Sequence, residues 1–400
     1  MLRTGSFALT VLLAALTAIG PLSTDMYLPS LPALTRAFGA TAAEGQLTIS
    51  SYLIGFAVGQ ILYGPLSDRH GRKPVLIGAL VLYCATSLAC TFSISIEMLV
   101  GARFLQALGA SGGVVLARAV VRDLHSGARA GRELSMIGSV MALAPVVAPA
   151  VGGALQTAFG WQSVFATLAL IGLSAVAVVW LLLPETLAER APESISLGSM
   201  LKSYRLVARN GAYIAYTALA TTSYAGLFAW ISTASFVLQN LYGLTPFNFG
   251  VVFSLGSVGY MIGATIAARL VMRLGIDGTI GCGGVTMTVG GIGMVAAVAF
   301  GLTSALSLVI PMAVYLAGLG LVLPQSLAGA LTPFPRHAGT ASALLGFIQQ
   351  TTAAVSGVAV GLMLGRTAWP LAIAVALMGG LSLLLWLVTI AVRAKAQHQE

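Results

Sequence analysis

Charge is what this chain has least of. Only 8% of its 400 residues are Asp, Glu, Lys or Arg, against about a quarter in an ordinary soluble chain. With 58% apolar residues and a mean hydropathy of +0.95, this scarcity excludes a soluble globular fold, because so much apolar surface has to face lipid as well as a protein core. Cysteine is nearly absent too. Cys84, Cys90 and Cys282 all lie in apolar runs, and Cys84 and Cys90 are six apart on one helix, too far for an unstrained bridge. All three read as packing residues, with no disulfide framework. No Gly-x-x-x-x-Gly-Lys-Ser/Thr loop cradles phosphates and no soluble domain is there to hold one, so nothing supports an ATP-driven pump. No His, Cys and acid cluster offers a metal site, and no Gly-x-Ser-x-Gly elbow points to hydrolysis. The chain reads as neither an enzyme nor a cofactor protein.

What is present is a series of long apolar runs. Twelve of them reach the roughly 20 residues that cross a bilayer, six in residues 1–183 and six in 212–400. Between lies 184–211, a polar stretch with seven charges that reads as a cytoplasmic linker, part of it suited to an amphipathic helix on the membrane surface. The expected fold is all-α and integral to the membrane, with two pseudo-symmetric six-helix halves. Arg3 ahead of the first run reads as the start of a retained helix and not of a cleaved signal peptide. The net charge of +9 is topological: with the N-terminus inside, sixteen of the twenty basic residues fall on the cytoplasmic side, as positive-inside orientation requires. Arg36 and Arg366 fall outside, and Arg103 and Arg118 lie within a span. The basic balance therefore reports orientation and not a nucleic-acid partner, and both termini are expected in the cytoplasm.

The halves carry traces of duplication. Residues 55–71 align without gaps on 259–275, matching Gly55 with Gly259, Gly59 with Gly263, Leu66 with Leu270, Arg69 with Arg273 and Gly71 with Gly275. Gly-x-x-x-Gly pairs at Gly55 and Gly59, Gly109 and Gly113, and Gly259 and Gly263 predict close helix approach, where no hydrophobic force acts between helices in lipid.

Four stretches carry a more specific resemblance. Gly64–Pro74, GPLSDRHGRKP, packs Asp68, Arg69, Arg72 and Lys73 beside Gly71 between two apolar runs. It resembles the loop between the second and third helices of major facilitator superfamily transporters. Arg103, Gln106 and Gly109 resemble the fourth-helix motif of that superfamily's proton antiporters, with Ala107 in place of its first glycine. Pro149, Gly152 and Gly153, preceded by Pro145, resemble the fifth-helix antiporter signature, with Ala144 and Ala148 where glycines are expected. PLSTDMYLPSLP in the first span, FPRHAGTASALLGF at the eleventh and TAWP before the twelfth are similar to the bicyclomycin and chloramphenicol resistance (Bcr/CflA) branch of drug:proton antiporters. The resemblance covers essentially the whole chain. It implies a multi-pass exporter of the bacterial inner membrane, driven by the proton gradient without a cofactor and acting on small drugs; a monomer is the default expectation for a chain of twelve spans. Relatives in that branch carry a second acid in the first helix where Thr17 stands here, so a second proton site is not implied.

The residues themselves point the same way. Asp25 and Arg103 are an acid and a base at similar depth in the first half. A charge at mid-bilayer costs about 2.5–3.5 kcal/mol on insertion scales, so it faces the protein interior and finds a partner. They read as a fixed ion pair or as a protonation switch, and the resemblance favours the switch. Asp68, Arg72, Arg118 and Asp123, at the inner ends of two helices, read as a latch over the cytoplasmic mouth. Polar or aromatic residues near midspan are the substrate candidates: Tyr27, Tyr52, Gln60, Met141, Tyr224, Phe228, Phe253 and Gln349. The preferred substrates are neutral amphenicol- or bicyclomycin-type antibiotics, by analogy with the branch. A proton-coupled importer of metabolites on the same fold is the rival.

Overall fold

The computed structural model describes residues 7–125, 127–187, 197–334, 338–365 and 367–397. Arg3, Arg190, Arg336 and Arg366 lie outside the described residues. Helix is the only extended element among them. Among the described residues, eleven helices are long and apolar enough to cross a membrane. One of them, Pro246–Ala299, is 54 residues long and turns at Gly275 (φ 68°, ψ −177°), so it holds two spans and the described residues carry the expected twelve.

The chain divides into two compact units, Met1–Ile195 and Ser196–Glu400. The boundary lies inside the stretch read as a linker. In the first unit α1 (Phe7–Asp25) ends at Asp25, and a short 3₁₀ turn, Leu28–Ser30, leads to α2 (Leu31–Ala37). Pro29 and Pro32 have no N–H to continue the helix, so the first span is interrupted immediately beyond its acid. Then follow α3 (Ala42–His70), α4 (Arg72–Thr91), α5 (Ile96–Leu124), α6 (Gly127–Phe159) and α7 (Gln162–Leu182). Thr41 starts α3 with a capping box, its hydroxyl accepting from the Glu44 N–H while the Glu44 carboxylate accepts from the Thr41 N–H. Ser95 caps α5 in the same manner by accepting from the Met98 N–H.

The second unit holds α8 (Leu197–Ala208), α9 (Gly211–Phe236), α10 (Pro246–Ala299), α11 (Leu306–Leu331), α12 (Ala338–Met363), α13 (Trp369–Val388) and a terminal α14 (Ile390–Gln397). Helix α8 falls within the linker stretch.

The glycine pairs do the packing work expected of them. A Cβ at Gly55 or Gly59 would collide with the Phe104 carbonyl or the Ser111 hydroxyl of α5, and one at Gly259 or Gly263 with the Ala313 or Ala317 carbonyl of α11. The same contact recurs in both units between corresponding helices. Gly71 (φ 100°) and Gly275 (φ 68°), paired by the sequence repeat, both adopt the left-handed backbone where the chain turns between spans. Large apolar side chains such as Trp180, Leu181, Ile292, Ile310 and Leu387 are exposed along the spans, as lipid-facing positions are. Cys90 is buried and Cys84 half-buried, but Cys282 is exposed. The packing role expected for all three cysteines therefore fails for Cys282, whose side of α10 faces outward.

Candidate functional site

Arg103 is 0% exposed, two turns into α5 from its start. Its Nη1 donates to the Ser23 carbonyl of α1 at 3.0 Å and to Gln106 Oε1, one turn along α5, at 2.6 Å. Gln106 passes the order on, its Nε2 donating to Ser87 Oγ of α4 at 2.8 Å. The guanidinium carbon lies over the Tyr52 ring at 4.2 Å from the centroid and over Tyr27 at 4.8 Å, with Phe165 at 5.7 Å. Nε and Nη2 have no hydrogen-bond partner among the described residues. The charge is therefore held chiefly by ring faces, which is worth most where water is excluded. The rings are themselves fixed: Tyr52 OH donates to the Gly20 carbonyl at 3.1 Å, and Tyr27 OH shares a 2.7 Å hydrogen bond with Thr48 Oγ1. Ser23 Oγ and Tyr83 OH share another at 2.7 Å.

Asp25 is 5% exposed and lies two residues beyond the carbonyl that Arg103 grips, so acid and base share a level in α1 and α5. No ion pair joins them: the salt bridges among the described residues are Arg72–Asp68, Arg72–Asp123 and Arg393–Asp277. A fixed Asp25–Arg103 pair is thus not what the structure holds. Thr17, buried two turns earlier, turns its hydroxyl back onto the Ala14 carbonyl at 2.8 Å. In α6, Ala144, Ala148, Pro149, Gly152 and Gly153 are buried and Pro145 half-buried, and the helix is continuous through both prolines. A Cβ at Gly152 would collide with the Met26 carbonyl, which places the fifth-helix motif against the break that follows Asp25.

The second cluster lies at the joint between α3 and α4. Arg72 donates through Nε to Asp123 Oδ2 at 2.9 Å, and through Nη1 to Ser67 Oγ at 2.7 Å and Asp68 Oδ1 at 2.5 Å. Arg69 and Arg118 are exposed and form no ion pair among the described residues, so the expected latch is narrower than the charges in the sequence. It gains a member in return. Glu185, just beyond α7, accepts from the backbone N–H groups of Arg72 at 2.9 Å and Lys73 at 3.2 Å, capping α4. It also accepts from those of Thr186 and Leu187. Partial burial opposes its ionisation, and the four N–H donors overcome this and hold its carboxyl below the usual range. Lys73 Nζ donates to the Trp180 carbonyl of α7 at 2.8 Å, and Gly64 is half-buried in α3 without a close neighbour on its Cα. The Pro-Glu-Thr run after the sixth span was the available signal for Glu185.

Sequence reasoning also missed the second unit's buried pair. Asp277, two residues past the Gly275 turn, accepts from Arg393 Nε of α14 at 2.7 Å, and Arg393 is 0% exposed. Arg393 Nη2 donates to the Trp386 carbonyl at 2.8 Å, Nη1 bonds Thr389 Oγ1, and Trp386 Nε1 donates to the Asp277 carbonyl at 2.9 Å.

Of the substrate candidates, Tyr27 and Tyr52 are buried under Arg103. Tyr224 and Phe228 form a tilted aromatic pair at 4.8 Å, and Phe253 stacks on Trp230 at 6.1 Å. Gln60, Met141 and Gln349 are half-buried on α3, α6 and α12.

Residues 13–357 match the family model described as Major Facilitator Superfamily. The chain belongs to this superfamily. It is 31% identical over 375 residues to a chloramphenicol resistance protein of Pseudomonas aeruginosa, covering 92% of this chain and 87% of that one. It is 29% identical over 371 residues to a bicyclomycin resistance protein homolog of Haemophilus influenzae, covering 92% of each. Among solved structures, the xylose transporter XylE of E. coli superposes with a TM-score of 0.76 at 14% identity, over 96% of this chain and 97% of that one, a likeness of fold alone. This superfamily member is a multi-span membrane transporter and not an enzyme.

Proposed function

We propose that the chain exports small neutral antibiotics from the cytoplasm in exchange for periplasmic protons, by alternating access of its two halves in the bacterial inner membrane. The observation that carries this is the state of the buried charges in the first half. Asp25 and Arg103 occupy one level without cancelling each other, and Arg103 is secured by rings and a carbonyl instead. A carboxylate freed from a permanent partner at the break of its helix is able to take up and release a proton as its surroundings change, while the guanidinium stays charged throughout. Arg103 then acts as the fixed positive charge against which the state of Asp25 is read. The relatives' names, chloramphenicol and bicyclomycin resistance proteins, support neutral drugs as the substrate class. The Arg72, Asp68, Asp123 and Glu185 cluster would hold the cytoplasmic ends of the first half's helices in one state of the cycle and release them in the other. Single-chain function, with both termini in the cytoplasm, completes the reading.

The test is proton movement in inverted vesicles on adding chloramphenicol, florfenicol or bicyclomycin, for the native chain and for Asp25→Asn. Drug-induced proton release by the native chain that vanishes in the variant is the expected result. Release that survives the substitution would move the switch away from Asp25. No release with any drug, from folded protein, would return the chain to metabolite transport.

A further inference from the structure

In the second unit α9 and α12 run side by side, pinned at two levels. Tyr213 OH donates to the Ala341 carbonyl at 2.8 Å, and Ser356 Oγ donates to the Ala225 carbonyl at 3.1 Å. At about 100° per residue, Tyr213, Thr217, Thr221, Tyr224 and Phe228 share one stripe of α9, and Ala341, Leu345, Gln349 and Ser356 share one stripe of α12. Interpolating between the two pinning bonds sets Gln349 against the turn of α9 that carries Thr221. Both lie mid-span, where the surroundings supply no water to a stranded polar group.

Neither side chain is used by the fold. Gln349 Nε2 and Thr221 Oγ1 are buried and have no hydrogen-bond partner among the described residues, and Thr221 is only 7% exposed. A glutamine serving as glue between helices would show its bond across the interface. Here the described bonds across the interface include those of Tyr213 and Ser356, and Gln349 Nε2, like Gln350 Oε1 and Thr351 Oγ1 beside it, has none among the described residues. A buried N–H group that the protein does not satisfy is costly to keep, and it becomes intelligible if something that binds there satisfies it.

We infer that Gln349 and Thr221 form a hydrogen-bonding subsite of the transporter for a neutral solute bearing a hydroxyl or amide beside a ring. This assignment rests on the drug-export reading and deepens it. Gln349 Nε2 donates to an acceptor on the ligand, and the Thr221 hydroxyl donates or accepts beside it. The Tyr224–Phe228 pair, on the same stripe of α9, offers ring faces at 4.8 Å centroid separation for the apolar part. Helices α9 and α12 contain no Asp, Glu, Lys or Arg, so neither a cationic nor an anionic group finds a counter-charge on this pair. That favours neutral solutes at this helix pair, whatever the rest of the chain contributes.

The test uses the purified full-length chain in detergent, native and with Gln349→Met and Thr221→Val, both close in volume to the residues they replace. Two probes are bound at equilibrium: chloramphenicol, neutral with hydroxyls and an amide, and tetraphenylphosphonium, a cation with no hydrogen-bonding group. Unfolding midpoints are taken without drug. Each variant is expected to weaken chloramphenicol binding about tenfold, one good hydrogen bond's worth, and to leave any tetraphenylphosphonium binding unchanged. Its drug-free midpoint should be equal to or above the native one, since a stranded polar group has been removed. A lowered midpoint would show that the side chains hold the helices together and would overturn the assignment. So would unchanged chloramphenicol binding in both variants. A native chain that binds no chloramphenicol at all would instead strike the drug reading itself, and the subsite with it.

Discussion

At the scale of single residues, the first half is organised by one guanidinium. Arg103 has three kinds of partner at once, a backbone carbonyl, an amide oxygen and the faces of Tyr27 and Tyr52, and no acid completes the set. Lysine has the same charge but no plane to stack and no fork to span Ser23 and Gln106, and its ammonium gives up water less readily. Arg103→Lys is therefore expected to lose about 2–3 kcal/mol of stability, the typical cost of breaking a buried hydrogen-bonded network, and to abolish drug-induced proton release. Thermal unfolding in detergent beside the vesicle assay checks both; a variant with native release would reduce Arg103 to a structural role. How much of this was legible beforehand follows from the chemistry. That Asp25 and Arg103 share a depth can be read from where they fall in their spans. That Arg103 spends its charge on rings depends on Tyr27, Tyr52 and Phe165 converging from the break after α1, from α3 and from α7, and no local pattern records that convergence.

At the scale of elements, the joint between α3 and α4 shows what charge-counting sees and what it misses. Asp68, Arg72 and Asp123 announce themselves because their charges are rare and sit at span ends. Glu185 is hidden because its partners are backbone N–H groups, which every residue but proline carries. Its carboxylate serves the exposed N–H groups at the start of α4 and faces the positive end of the helix. Since the folded chain holds this carboxyl below its ordinary range, near 4.3, its contribution is fully present above the unfolded value and is lost as pH falls through the folded one. Glu185→Gln keeps the shape but not the charge. The variant should unfold at a lower temperature than the native chain at neutral pH, and the two midpoints should converge as the pH falls through the lowered range of the folded carboxyl. Equal midpoints at neutral pH would deny Glu185 any part in fastening α4 to the end of α7.

At the scale of the whole molecule, the two units repeat one construction with the polarity of its last fastening reversed. Two residues past the end of the sequence repeat that sets Gly71 on Gly275, the same register brings Lys73 onto Asp277. Lys73 reaches the Trp180 carbonyl at the end of the sixth span. Asp277 receives Trp386 through its carbonyl and Arg393 through its carboxylate at the end of the twelfth. Each half thus ties its last helix back to the turn before its third, a base doing so in one and an acid in the other. The duplication is legible in the paired glycines. The reversed polarity is not, because Asp277 and Arg393 are separated by 116 residues and Arg393 on its own looks like one more cytoplasmic charge. Arg393 is wholly buried whereas the Asp277 side chain is 21% exposed, so removing the base leaves a partly shielded acid without its counter-charge. Breaking a buried pair from one side costs about 3–5 kcal/mol, and the remaining exposure of Asp277 sets Arg393→Met at the lower end, about 3 kcal/mol. Removing both charges with Asp277→Asn and Arg393→Met should recover most of that loss, because the penalty lies in the uncompensated acid more than in the lost attraction. Unfolding of the native, single and double variants in detergent measures the coupling. A double variant no more stable than Arg393→Met alone would mean that Arg393 holds α14 through the Trp386 carbonyl and Thr389, and not through its acid.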